Sequence, residues 1–508
     1  MIKNNLKNRI FQNEANFILV ISVFYLINHG LILLIPNALF WDDWLFYDVS
    51  SENLFNFCSQ FGCFFNFNAY VFTTLNQVGL WSYKLLTLFL IFGSGLAINQ
   101  ILKSNNLFSN EARLILVILY LALPFFAARV SLVIIVYSIC IFLFFSAWAI
   151  MNKYRILSLL LFFGSFQMAS LLVFYAVPFM ESFYRNQDFS LKSLLSFIVK
   201  KIDFVLLPFI YWGIKFLYFR PNGIYKNYNE EFSLESLFMS PLYMIWNWIN
   251  IEISLLIFLF SLPIFTIILK KLIDVSHLKF QFSHLTLFLV GCFVFFAGGF
   301  AYWVLGLTPI FNDWNSRHQA LLFLGTSLII LALIMLLSKR LKLIALSVIL
   351  SLAISINVPS YLSFYLDWQK QQSLIELIKN DSLIEKSDLV IFKDLTNSLN
   401  AFNRYFRSFE WNGIMAKAFN NEKRMGLNSD DYKKLINKQL FDQYLYAPTL
   451  YKSKDFDIRQ ELIVTEVSIR KAADINDANL WRRLFSPPEI TLISIPKGKV
   501  KLDIEYLY

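Results

Sequence analysis

Charge is what this sequence has little of. Only 16% of its 508 residues are Asp, Glu, Lys or Arg, against roughly 25% in soluble domains, which excludes a chain solvated on every side. There are four cysteines and no Cys/His spacing of the zinc-binding kind, so a structural zinc module is left out as well. Cys140 and Cys292 fall in apolar runs and read as inert filler. Cys58 and Cys63 share a loop, where an oxidising compartment would let them bridge. No internal repeat or low-complexity segment is visible. No small-residue cleavage site follows the first apolar run, which is long enough to span a bilayer, so no cleavable signal peptide is expected. The net charge of +10 does not point to nucleic acid, because the basic residues are scattered between apolar runs, the pattern of a multi-span protein with a positive side.

What is present is apolar: 57% hydrophobic residues, 55 of the 508 being Phe. Runs near the 20 residues needed to cross a bilayer are Phe17–Ile35, Val78–Ile101, Leu114–Ala128, Leu132–Met151, Ile156–Met180, Phe204–Phe219, Leu242–Leu269, His284–Leu307, Leu321–Leu337 and Leu343–Val358. Ile156–Met180 carries Gly164, Ser165 and Gln167 at its middle and then Pro178, so it reads as two short helices, of the broken kind that membrane enzymes and transporters use. Counting it as two passes keeps Lys103, Arg113, Lys153, Arg155, Arg185 to Lys201, Lys270, Lys271, Lys279, Lys339, Arg340 and Lys342 on the side of the N-terminal Lys3, Lys7 and Arg9. The expectation is therefore a mainly α, polytopic bundle of about 11 spans, N-terminus in and C-terminus out, in a bacterial inner membrane. Leu45 to Phe57 and Phe189 to Ile202 read as helices lying along the two membrane surfaces.

After Pro359 the composition changes. Residues 360–508 are dense in charge and hold no spanning run. Leu389–Phe392, Leu462–Ile469, Ile490–Ile495 and the alternating Val500 to Tyr506 read as strands, and Trp368–Lys379 and Asp430–Leu440 as helices. The expected division is a membrane domain over 1–359 and a small extracytoplasmic α/β domain over 360–508.

The stretch on which chemistry turns is Phe40-Trp41-Asp42-Asp43-Trp44, directly after the first run and Pro36. Two carboxylates between two Trp residues belong at a membrane edge, where charge is tolerated and Trp is enriched. They suit a helix cap with belt anchors, or a base whose pKa is raised by partial burial. Two further polar clusters fall on the same expected face: Arg220 to Asn229, with Tyr225 and Tyr228, and Asn312 to Gln319, with Arg317 and His318. Glu252 lies within an apolar run, where an acid is a functional candidate. Outside the cytoplasm no nucleotide is at hand, so an activated sugar has to arrive on a lipid phosphate. Arg317 suits the phosphate of such a leaving group, His318 can add a hydrogen bond or a proton, and Asp42 or Asp43 can take the acceptor's proton. Tyr rings can stack on a sugar. A divalent cation (Mg or Mn) held at Asp43 is a further option.

An acidic pair in the first outer loop of a polytopic chain that ends in a soluble domain resembles the GT-C superfamily of membrane glycosyltransferases. The resemblance implies a polyprenyl-phosphate-sugar donor, a glycan or similar surface acceptor, a catalytic acid at Asp42 or Asp43, inverting transfer, and surface helices that Leu45–Phe57 would supply. The rivals are a flippase or transporter of lipid-linked sugars, a polymerase or ligase of lipid-linked polysaccharide, and a membrane scaffold presenting the C-terminal domain.

Overall fold

The computed structural model describes residues 14–184, 190–226, 232–281, 283–311, 313–436, 451, 455–457, 460–472 and 488–501. They are mainly helical, with one small sheet. Five helices are long and apolar enough to cross a membrane: Glu14–Leu34, Trp81–Asn105, Leu255–Leu272, His284–Trp303 and Lys339–Lys379. Shorter apolar helices, Ile134–Ile150, Arg155–Ser165, Ser170–Tyr184 and Leu322–Met335, accompany them. The helix Asn110–Ala122 is central. Every residue from Ala112 to Ala122 is buried, and from Leu114 on the helix is apolar on all sides, as burial requires.

One end of the bundle is tied together by its loops. Ser109 N–H donates to Lys279 C=O at 2.9 Å and Gln281 N–H to Leu107 C=O at 3.0 Å. Lys103 pairs with Glu14 and Lys339 with Asp274. A cavity of about 390 Å³ at this end touches Leu102, Trp148, Glu181 and Leu287. The run Ile156–Met180 starts beside it, with the Ser158 hydroxyl donating to Ala147 C=O. It turns over at Phe166 to Ala169, where Gln167 reaches Phe64 C=O in the first loop. It then comes back as far as Glu181, within reach of Trp148, so the chain leaves this hairpin on the side where it entered.

The run Leu242–Leu269 is not one helix. It is interrupted at Ile251 to Ser254, between helices Leu234–Ile249 and Leu255–Leu272. The break has a partner. Pro359 lies inside the helix Lys339–Lys379 and has no N–H, which leaves the carbonyl four residues earlier without its helical donor. That carbonyl, of Ser355, accepts from Ser254 N–H at 3.2 Å. The proline thus sits within a continuous helix of 41 residues, and the change of composition after it falls partway along that helix. The predicted helix Trp368–Lys379 is its last three turns.

The sheet has the order β2-β1-β3-β4, from β1 (Leu389–Asp394), β2 (Met425–Asn428), β3 (Glu461–Lys471) and β4 (Ile490–Lys501). β1 is parallel to both neighbours and β4 runs antiparallel at the edge. Leu389 to Phe392 are all buried, the mark of a strand covered on two faces. Pro496 is accommodated on the edge strand opposite the irregularity at Val464/Thr465. The predicted helix at 430–440 is observed as Ser429–Ile436. Its remainder, and most of the alternating stretch 500–506, lie outside the described residues.

Candidate functional site

Trp41 and Trp44 are buried, at 4% and 1% exposure, and neither is a membrane-belt anchor. Trp41 packs on Trp314 and Phe364, with ring centroids 5.7 and 5.5 Å away. Trp44 lies against Gly413 of the helix Ser408–Phe419, so closely that a Cβ there would stand 2.3 Å from the indole. Gln371 donates to Leu39 C=O at 3.0 Å, and the Arg404 guanidinium lies over the rings of Phe40 and Trp41. The first loop is therefore the joint on which the C-terminal region seats. Trp41 adopts φ 52°, a left-handed conformation costly for a bulky residue and concentrated at functional sites.

The two acids part company here. Asp43 is fully buried. Its Oδ2 accepts from Phe40 N–H at 2.9 Å; its Oδ1 accepts from the Ser131 hydroxyl, Leu132 N–H at 2.7 Å and Val133 N–H at 3.3 Å. Three donors crowd Oδ1 while Oδ2, with room for two, carries one. Burial pushes its pKa up to about 6, against the pull of the Lys84 charge, the Ser131 hydroxyl and the Phe40 and Val133 amides. Lys84 Nζ is itself buried without a hydrogen-bond partner. Asp43 thus clamps the first loop to Ser131–Val133, chiefly through Oδ1. Among the described residues no group of three or more His, Cys, Asp or Glu side chains could hold a metal ion.

Asp42 is only half-buried, and it begins the short helix Asp43–Phe46 without a side-chain capping bond. Burial raises its pKa while the charges of Arg317 and Arg407 pull it down. Arg317 donates through Nη1 to Trp314 C=O at 3.0 Å and Asn315 Oδ1 at 3.3 Å, with its guanidinium over the Trp314 ring. Nε and Nη2 have no protein partner among the described residues. The segment is fixed from behind, since Ala128 N–H donates to Ser316 Oγ at 2.8 Å and Gln319 Oε1 accepts from Trp248 at 2.8 Å.

The other expected residues divide. His318 is buried and lies flat on Tyr302, with centroids 4.5 Å apart. Burial and then the neighbouring Arg317 charge hold its pKa well below the usual histidine range, which favours the neutral ring. Tyr225 packs edge-on against Phe57 and Phe61 and stands within electrostatic reach of Tyr451, which in turn feels Asp42 and Arg407. Arg220 folds back along its helix, Nε donating to Phe216 C=O at 2.6 Å, and lines a different cavity. Glu252 is exposed in the break Ile251–Ser254, outside any helix. Tyr228 lies outside the described residues. Asn28 and His29 make interhelical bonds. Asn28 accepts from Asn357 at 3.2 Å; His29 Nε2 donates to Leu121 C=O at 2.7 Å, and its Nδ1 faces Tyr361 and Arg129 at 3.0 Å each. Cys58 and Cys63 are both buried and free. Sequence reasoning missed Arg407 and Tyr451, which no motif flags.

Behind Arg407 is a buried ionic cluster. Arg404 pairs with Asp367 at 2.9 Å and Glu410 at 2.6 Å, Lys370 pairs with Asp394 at 2.6 Å, and Glu410 also accepts Arg407 N–H at 2.9 Å. It ties the long helix to the segment that delivers Arg407 to Asp42. No protein-family model, no curated protein and no solved structure matches this chain.

Proposed function

We propose that this chain is a membrane glycosyltransferase of GT-C type, acting at the end of the bundle where Asp42 lies. The sugar comes from a polyprenyl phosphate and passes to a hydroxyl of a surface glycan or similar acceptor. The acceptor oxygen attacks the anomeric carbon, the bond from that carbon to the phosphate oxygen breaks with its electron pair going to the phosphate, and the acceptor proton goes to Asp42. Opposite-side attack inverts the configuration. Arg317, with its free guanidinium edge, and Arg407 stabilise the charge that grows on the leaving phosphate. The about 11 spans, with the basic loops in the cytoplasm and the C-terminal region outside, follow from the positive-inside rule and are part of this proposal.

What carries it is the meeting of Asp42 with Arg317 and Arg407: one acid without a capping bond and two cations, drawn from three distant parts of the chain. Asp42→Asn is expected to lower transfer from a polyprenyl-phosphate sugar by about 10²- to 10⁴-fold with unchanged thermal unfolding. Asp43→Asn should instead lower stability first. Full transfer by Asp42→Asn would remove the base, and lipid-linked sugar translocation without transfer would move the chain to the flippase class.

A further inference from the structure

A second cavity, of about 460 Å³, opens beside the upper end of the helix Ile202–Tyr218. Neither Asp42 nor Arg317 lines it. Its lining holds three cations, Lys215, Arg220 and Lys226, and no carboxylate. Among the described residues no acid pairs with any of the three. Three cations around one groove, with no acid beside them among the described residues, repel each other, so the groove is complementary to an anion.

The groove is built, not left to a loose loop. Asn222 N–H donates to Gln60 C=O at 2.8 Å and its side chain to Ser59 C=O at 3.2 Å. The helix Ser51–Phe61 ends there on Gly62 at φ 74°, and a Cβ on that glycine would stand 2.6 Å from the Phe219 carbonyl and 2.9 Å from the Pro221 nitrogen. The Phe219–Pro221 turn is therefore pressed onto the end of the surface helix. Arg220 is aimed back over Phe216, with its guanidinium 3.5 Å from the ring centroid. Below it, Phe209, Trp212 and Phe216 are 67%, 58% and 45% exposed. Their i, i+3, i+7 spacing puts them along one face of the helix.

We infer that this groove is a binding site for a lipid with a phosphate headgroup: the phosphate sits among Lys215, Arg220 and Lys226, and the chains run down the Phe209–Trp212–Phe216 stripe. A cation cluster at the end of a span, continuous with an exposed apolar face, fits a headgroup with its chains attached, where a free anion would have no use for the stripe. The site does not rest on sugar transfer and is tested without it.

The test is native mass spectrometry of the full chain released from mixed lipid, with phosphatidylglycerol and phosphatidylcholine at equal amounts. Wild type is expected to retain the anionic lipid by about tenfold over the zwitterionic one. Arg220→Gln with Lys226→Gln, both at exposed positions, should cut that preference several-fold. Lys270→Gln with Lys271→Gln, at the opposite end of the helix Leu255–Leu272 from its break, should leave it intact. An unchanged preference in the groove variant, an equal loss in the control, or displacement of the lipid by millimolar inorganic phosphate would each overturn the assignment. Trp212→Ala is expected to weaken lipid retention without changing the headgroup preference; a change in preference instead would also count against the stripe.

Discussion

Glu14 and Lys103 meet at 2.8 Å with nearly half of each side chain in the open, whereas Arg404 meets Asp367 at 2.9 Å and Glu410 at 2.6 Å with the carboxylates wholly enclosed. The first pair closes one end of the bundle and the second the other. Ion pairs at the first end are peripheral: Arg155–Asp203 and Lys339–Asp274 are as exposed as Glu14–Lys103. At the other end the ion pairs of Arg404 and Lys370 are enclosed, and Asp42 beside them is half-buried. Loops at the first end hold helices together. Loops at the second end bring Arg317 and Arg407 within electrostatic reach of Asp42.

If that contrast is real, cutting the enclosed cluster has the largest effect on stability. Arg404→Met leaves Asp367 and Glu410 buried together without their cation. Loss of one partner of a buried pair costs about 3–5 kcal/mol, and the bond from Ala401 N–H to Asp367 at 2.9 Å remains to hold the segment. Limited proteolysis should then cut between the long helix and β1, and the melting temperature should fall. Arg404→Met with Asp367→Asn and Glu410→Gln together should recover part of the loss, because the uncompensated charges go too. No recovery in the triple variant would mean that the cluster acts through shape and not through charge.

A smaller effect sharpens the same contrast within the site. Burial holds the Asp42 pKa above its usual range and the two arginines oppose this. Removing either arginine therefore raises it further, and the base becomes available only at higher pH. Arg407→Gln should move the acid limb of the transfer rate to higher pH, while Arg220→Gln, in the other groove, leaves it where it is. A fall in rate with an unmoved limb would make Arg407 a structural support of Asp42 alone.

Much of the helical content is legible from apolar runs, because a helix that buries its whole surface is mostly apolar, as Leu114 to Ala122 are. The interruption at Ile251–Ser254 is not, and the Ser355 carbonyl that meets it is freed by a proline more than a hundred positions away. β2 escapes for a simpler reason: Met425-Gly426-Leu427-Asn428 is too short to show a period. Within the site, the sequence points to the acidic pair but cannot separate its members. The donors that bind Asp43 come from Ser131 to Val133, 88 to 90 positions on. Trp41 and Trp44 read as membrane anchors by composition, and only the packed C-terminal region shows why they are buried. Arg407 is one exposed arginine in a charged stretch, with nothing local to mark it.

The smallest effect belongs to the peripheral end. Glu14→Gln removes the charge that pairs with Lys103 while keeping an oxygen that can accept from Asn99, which donates to Glu14 at 3.2 Å. Both side chains of the ion pair are more than a third exposed, so water and salt already screen it, and exposed pairs are worth about 0–1 kcal/mol. The melting temperature should shift little, and the shift should shrink further at high salt. Asp43→Asn, by contrast, removes charge from a site where Lys84 is also enclosed, and its larger loss should persist at high salt because ions do not reach it. Equal salt sensitivity in the two variants would erase the difference between the ends. A salt-dependent loss at Glu14 alone would show that solvent reaches the charges of one end and not the Asp43–Lys84 pair of the other.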